Sequence, residues 1–353
     1  MGLSRAELGF ILVCGAGSAT GLGAAVVFSE RLVQLASKPF LAGALGLSAG
    51  VMLYVSFVEI MVKSQMGFEA SSAMGPNDAY MAATCSLFAG MLFMSLLDAL
   101  VHTLDPNHTA HSSSDPGRFL ADPVKQTVGA SCCALDDDVF DEIELRKQKG
   151  KSQQVADAGA PTASESDDSG GSGDSASTAS DTDGSGDVEA PAGADATTKE
   201  QYLERMGVMT ALAIGIHNFP EGLATFVATL DDPAVGGALA VAIAIHNIPE
   251  GLCVSIPIYF ATGDRWKAFR WALLSGVSEP IGALIGWLIL KDHFNELLYG
   301  IVFGMVAGMM VMIVLNELIP TAHRYDPDDK VVTKSVSVGM VVMAASLCLF
   351  VYG

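Results

Sequence analysis

Positive charge is what this sequence has least of. Its 353 residues hold 19 Lys and Arg against 39 Asp and Glu, a formal net charge of -20. No basic patch extends beyond short loops, so nucleic acid is excluded as a partner. Charge of either sign is thin at 16%, while half of the residues are hydrophobic, against about 25% charged in ordinary soluble domains. A soluble globular chain is therefore excluded as well. The acidic surplus lies mostly between Asp136 and Glu200, where large apolar residues are nearly absent, and it describes that segment rather than the charge of a substrate.

Cysteine is equally sparse, at six, and its placement excludes a disulfide framework. Cys14, Cys85, Cys253 and Cys348 fall in hydrophobic runs, where a reduced thiol behaves as a small apolar residue. Cys132 and Cys133 are adjacent, a spacing that rarely bridges, and no CxxC pair of the zinc-binding kind occurs. Also missing is a basic stretch and small-residue cleavage site bracketing a short apolar core, so residues 7–29 are read as a retained helix.

What is present is eight apolar segments of about 20 residues, the length that crosses a bilayer. They fall near residues 7–29, 40–63, 79–102, 206–230, 234–260, 267–290, 296–320 and 333–352. The expected fold is all-α, a polytopic membrane protein with eight transmembrane helices and a long disordered cytosolic loop. Residues 1–102 supply helices one to three, 103–203 the loop, and 204–353 helices four to eight. Arg31, Lys38, Arg265, Lys267, Arg270, Arg324, Lys330 and Lys334 collect in one set of loops, while the other set offers Arg5, Lys63 and Lys291. By the positive-inside bias, both termini face away from the cytosol and the 103–203 segment lies within it. The sequon Asn107-His108-Thr109 is then expected to stay unglycosylated. The Ser, Gly, Asp and Thr of Ser164–Asp187 bury too little apolar surface to fold, although a helical fragment fits Val139–Lys149. His102, His108 and His111 open the loop, either as solvated imidazoles or as a metal-collecting cluster. Cys132 and Cys133 read as a neutral thiol pair, with acylation or metal binding the other readings.

One hexapeptide occurs twice. His217-Asn218-Phe219-Pro220-Glu221-Gly222 returns as His246-Asn247-Ile248-Pro249-Glu250-Gly251, each copy inside an apolar segment, with Asp231-Asp232-Pro233 breaking the chain between them. Consecutive helices then run in opposite directions, each with its His and Glu four residues apart on one face. In the fourth segment Thr210, His217, Glu221 and Thr225 continue one polar stripe. The fifth places His246, Glu250 and Cys253 on one face, and the sixth has a stripe of Ser275, Glu279, Gly282 and Gly286. Ionised groups near the bilayer centre cost about 2.5–3.5 kcal/mol each on insertion scales, so three glutamates ask for compensation of order 10 kcal/mol. A divalent cation bridged by carboxylates supplies it. Pro220, Pro249 and Pro280 should also free the carbonyls of Ile216, Ile245 and Gly276, one turn earlier. The alternative, histidines bonded to other helices beside protonated glutamates, suits one intramembrane His better than two copies and a third Glu-Pro. Glu59 and Glu317, toward segment ends, read equally as path lining or as carboxylates snorkelling to water; Asp98 and His102 are similarly ambiguous. Gly300, Gly304 and Gly308, and the small residues of 15–24 and 43–50, read as helix-packing stripes.

Imidazole, carboxylate and amide favour Zn²⁺, Fe²⁺ or Mn²⁺ over Ca²⁺ and Mg²⁺, and the lack of thiolate and thioether clusters argues against Cu(I). The paired motifs resemble those of the ZIP (Zrt/Irt-like) metal transporters, particularly the ZupT-like branch. Supporting stretches are Ala19-Thr20-Gly21-Leu22-Gly23, Ser48-Ala49-Gly50-Val51-Met52, Ser56-Phe57-Val58-Glu59, Ser278-Glu279-Pro280 and Glu317-Leu318-Ile319-Pro320. The resemblance implies an eight-helix transporter moving zinc and related ions toward the cytosol, with no resident cofactor. It implies two adjacent ion positions, one using His217, Glu221, His246 and Glu250, the other Asn218, Glu221, Asn247, Glu250 and Glu279. It also implies that spans one, four, five and six slide against the rest, commonly within a homodimer. Departures are Cys253, a thiol one turn from Glu250 that would favour soft ions such as Cd²⁺, and a central loop that is acidic where many relatives are His-rich. The plasma membrane is the expected location, and a membrane-embedded metal-dependent hydrolase is the rival reading.

Overall fold

Several helix starts in this chain fall where capping side chains stand. The computed structural model describes residues 3–35, 37–71, 74–104, 196–290 and 295–352, and these contain helices and turns with no strand among them. Ser4 opens α1 (Arg5–Ala24) with a capping box: its hydroxyl accepts from Glu7 N, and the Glu7 carboxylate accepts from Ser4 N at 2.8 Å, satisfying two orphan donors at once. One 3₁₀ turn (Ala25–Phe28) extends it. Then come α2 (Glu30–Leu35), α3 (Lys38–Val55), a π-helical turn over Ser56–Ile60, α4 (Met61–Ala70) and α5 (Pro76–Leu104). The second half holds α6 (Ala196–Asp231), α7 (Pro233–Thr262), α8 (Arg265–Gly276), α9 (Ser278–Leu290) and α10 (Glu296–Ile313). A second π-helical turn over Val314–Leu318, then α11 (Ile319–Tyr325) and α12 (Val332–Tyr352), complete it.

The chain is thus all-α and multi-pass. Among the described residues, six helical stretches are long and apolar enough to cross a membrane: Arg5–Phe28, Lys38–Ala70, Pro76–Leu100, Pro233–Phe260, Arg265–Ile289 and Glu296–Tyr325; Val332–Cys348 is a shorter apolar helix. The remaining expected span is α6, whose side chains are described from Ile214 onward. The sequon at Asn107, His108, His111, Cys132, Cys133, Val139–Lys149 and Ser164–Asp187 lie outside the described residues, as do the side chains of His102 and Thr210.

Span six departs from its reading as one helix kinked at Pro280. It breaks at Val277, whose N–H reaches back three residues to Leu274 O at 3.2 Å, so that Pro280 sits in the first turn of α9. Proline is well tolerated there, because the N–H it lacks would have no helical acceptor.

The helices sort into two groups. Helices α1, α7, α8 and α9 pack on one another, and α6 joins them through Phe226, which shares a core with Val13 and Ala283 and stands 4.8 Å from the Phe10 ring. Arg5 binds this group together at one end, its guanidinium donating to Leu230 O and Asp231 O at 2.9 and 2.7 Å, where orphan carbonyls close α6. These are spans one, four, five and six, the set that the resemblance assigns to the sliding group. The other group comprises α3, α4, α5, α10, α11 and α12, and α3 meets α7 across the seam.

Small residues set the close approaches. A Cβ on Gly251 would collide with Thr20 O, and one on Gly23 with Ile248 O, so α1 and α7 touch backbone to backbone. The Gly300/Gly304/Gly308 stripe does the same for the second group: a Cβ on Gly308 would collide with Leu87 O of α5. Between membrane helices there is no hydrophobic drive to association, so contact of this intimacy is what dispersion requires.

Candidate metal site

One residue separates the two motif-bearing helices. Helix α6 ends at Asp231 and α7 starts at Pro233, with the Asp232 carboxylate accepting from Ala234 N at 2.9 Å. Proline at N1 and aspartate at the N-cap is a strong helix-start pair, and it turns α7 back antiparallel to α6. The chain runs helically through both Pro220 and Pro249.

The duplicated residues meet. His217, Asn218, Glu221, His246, Asn247, Glu250 and Glu279 are all buried, none more than 4% exposed. His246 Nε2 lies 3.0 Å from Glu221 Oε1, and both partners are fully enclosed. One ligand atom each from Glu221, His246 and Glu250 falls within 4.8 Å of the others. With its nitrogen turned toward Glu250, the orientation its neighbours require, Asn218 donates to Glu250 Oε2 and to Ile214 O at 3.0 Å each. Asn247 donates to Glu279 Oε1 at 2.5 Å and to Ala16 O at 3.0 Å. Both amides therefore spend their N–H groups on carboxylates and helix carbonyls. Among the described residues, Glu221 Oε2, Asn247 Oδ1 and Glu279 Oε2 are buried acceptors with no hydrogen-bond donor.

Buried acceptors without donors are rare because each forfeits its hydration. Three on this cluster of carboxylates and amides, beside an imidazole, describe a place that a hard or borderline cation would complete. The donor set of carboxylate, imidazole and amide oxygen matches Zn²⁺, Fe²⁺ or Mn²⁺ better than a soft ion. Cys253 is buried on α7, yet the converging set contains Glu221, His246 and Glu250 and not its sulfur.

The sixth-span stripe is an assembly surface as well as a ligand source. A Cβ on Gly222 would collide with the Glu279 backbone, and one on Gly282 with Phe219 O, so α6 and α9 meet at van der Waals limits beside the site. This explains the last letter of each hexapeptide. Gly222 lets α9 bring Glu279 in, and Gly251 lets α1 bring Ala16 O toward Asn247. The sequence reading assigned no purpose to either glycine.

Two placements add to the sequence reading. His217 is not among the converging atoms; its Nε2 lies 2.7 Å from Glu317 Oε1. Glu317 is 4% exposed, so it does not snorkel to water. It lies inside the π-helical turn of span seven, which together with the preceding α10 carries its carboxylate inward. The signal was present as Asn316-Glu317-Leu318-Ile319-Pro320, an Asn-Glu pair ahead of a proline, but proximity to the segment end left path lining and snorkelling equally open. Glu59 occupies the equivalent turn of span two and is partly buried; Asp98 and His323 are also partly buried. As for the backbone, Ser48 Oγ donates to His246 O at 3.1 Å, one residue beyond the Ile245 carbonyl expected to be freed.

Comparison with known proteins gives a consistent answer. A model of the family described as "ZIP Zinc transporter" matches residues 4–350. The chain is 38% identical over 344 residues to a protein named "Zinc transporter ZupT" from Lysinibacillus sphaericus, covering 98% of each. It is 37% identical over 345 residues to the protein of that name from Oceanobacillus iheyensis, and 39% over 345 residues to that from Nitratidesulfovibrio vulgaris, with 97% of each chain covered in both cases.

Proposed function

This chain belongs to the ZIP zinc transporter family, and on that premise we propose that it carries Zn²⁺, with Fe²⁺ and Mn²⁺ as further substrates, into the cytosol through the buried site between α6, α7 and α9. It is a multi-pass divalent-metal transporter and not an enzyme, so the hydrolase reading is set aside. The observation that carries the site assignment is the convergence of Glu221, His246 and Glu250 within 4.8 Å, beside acceptors that lack donors.

In this reading Glu221 and Glu250 bridge the ion or ions and His246 supplies nitrogen. His217 joins once its ring turns from Glu317. Asn218, Asn247 and Glu279 form the adjoining position, where Asn247 Oδ1 and Glu279 Oε2 are buried without a donor. Carboxylates and imidazoles hold zinc less tightly than four thiolates would, which leaves release feasible. The eight-span topology, outward-facing termini, cytosolic 103–203 segment, homodimer, surrounding lipid and plasma-membrane location belong to the same proposal, supported by loop charge and the resemblance.

Accumulation in sealed vesicles tests it. Vesicles carrying the chain should concentrate ⁶⁵Zn above the outside level and release it to an ionophore; label that stays stoichiometric with protein would mean binding without transport. Because ligand groups must shed protons to take the ion, initial uptake should fall progressively as the medium goes from neutral to mildly acidic. Flat uptake across that range would contradict the ligand assignment.

A further inference from the structure

Glutamate 317 sits on the opposite side of the seam from every residue assigned to the cargo site. It belongs to span seven, which packs with α3, α4 and α5, whereas His217 rides on α6 with the α1–α7–α8–α9 group. Their contact is short, 2.7 Å between Nε2 and Oε1, and enclosed on both sides. A second side-chain contact joins the same two spans: Tyr299 O–H donates to Asp231 Oδ2 at 3.1 Å. Asp231 is 14 residues beyond His217, about four turns along α6, and Tyr299 precedes Glu317 on span seven, as antiparallel neighbours require. Spans four and seven are thus pinned at two levels, one near the helix ends and one beside the cargo residues. The π-helical turn that carries Glu317 is a feature that recurs at functional positions because it redirects one side chain without ending the helix.

A ring nitrogen serves one partner at a time. While Nε2 gives its hydrogen to a carboxylate, its lone pair is not available to an ion. The contact with Glu317 and coordination of cargo through Nε2 are therefore exclusive. We propose that Glu317 is a positioning residue that holds His217 while the carrier is empty and yields it on loading, the ring's hydrogen moving from Nε2 to Nδ1 as the ion takes the Nε2 lone pair, so that cargo itself undoes the inner pin between spans four and seven. This rests on the assignment of His217 to the cargo site. It gives loading a mechanical consequence: spans four and seven are tied at two levels in the empty carrier and at the outer level alone in the loaded one. A ligand that alters a conformational balance must interact differently with its two states, and the exchange of partners at His217 provides that difference.

Nitrogen NMR of the full chain in lipid nanodiscs, with ¹⁵N-labelled histidine and Zn²⁺ as the added ion, reads the exchange directly. The seven histidines are assigned by single substitutions. Before zinc, the His217 ring resonances of the unaltered chain should differ from those of Glu317→Gln. After saturation the two should coincide, with Nε2 shifted to a metal-bound position, because Glu317 has let go. Glu317→Asp, which withdraws the carboxylate by one methylene, should give a smaller difference before zinc and the same coincidence after it. His217 resonances that ignore both substitutions before zinc would overturn the proposal, as would resonances that still depend on residue 317 after saturation. If zinc moves neither His217 nor His246, the site assignment itself fails, a result distinct from a failed exchange in which His246 moves and His217 stays.

Discussion

Replacing Glu221 and Glu250 together with alanine should abolish saturable zinc uptake while leaving the folded chain at least as stable as before. The expected loss is about 100-fold or more, exceeding the 10–100-fold typical of losing a metal ligand's supporting partner, because both anions of the site vanish. Stability should move the other way. The two carboxylates are buried, Glu221 Oε2 has no donor, and intramembrane charge is costly, so removing both relieves the empty protein of an uncompensated burden. Both substitutions also leave His246 and Asn218 without their carboxylate acceptors, but an imidazole and an amide can stand there neutral, and stranding a neutral donor costs less than keeping an uncompensated buried charge. Thermal melting of the detergent-purified pair variant beside vesicle uptake separates the two effects. Lost uptake with an equal or higher melting temperature is expected; lost uptake with a collapsed melting temperature would assign the glutamates to the fold rather than to the cargo.

Enlarging the glycine that closes each hexapeptide should do the reverse, removing folded protein before chemistry is reached. A methyl on Gly251 has nowhere to go but Thr20 O, and one on Gly222 meets the Glu279 backbone. Overpacking usually costs about 1–3 kcal/mol and occasionally more. Here the obstructing atoms are backbone on both sides, so relief needs whole helices to separate. Gly251→Val and Gly222→Val should therefore lose most of the folded yield, and the corresponding alanines a large part of it. Gly237→Ala is the control, since a Cβ there meets nothing within 4 Å and alanine favours the helix by about 0.8–1 kcal/mol. Size-exclusion yield after membrane extraction checks the ordering Gly237→Ala above Gly251→Ala above Gly251→Val. Equal yields would show that the helices do not meet as closely as described.

Much of this was legible in one dimension. Spacing of His217 to Glu221 and of His246 to Glu250 places each pair on one helical face, and the Asp231-Asp232-Pro233 break turns the second helix back, so convergence follows without knowing the tertiary fold. The Ser275, Glu279, Gly282, Gly286 stripe was legible too, although the tight contact it makes with α6 was not. What could not be read was anything decided by a partner distant in sequence. For Glu317, path lining and snorkelling were equally open from its place near a segment end, and the π-helical turn with its 2.7 Å contact to His217 decides between them. The break at Val277 was hidden because a proline signals a disturbance without saying on which side the helix ends. The contact of Asn247 with Ala16 O was out of reach too, since backbone carbonyls leave no mark in a sequence.

Zinc-edge anomalous diffraction from crystals soaked in Zn²⁺ tests the central claim most directly. The account predicts a peak enclosed by Glu221, His246 and Glu250, at bonding distance from all three, and its disappearance in the Glu221→Ala, Glu250→Ala chain. A transport-competent preparation whose only zinc peaks lie elsewhere, or whose peak survives that double substitution, would contradict it.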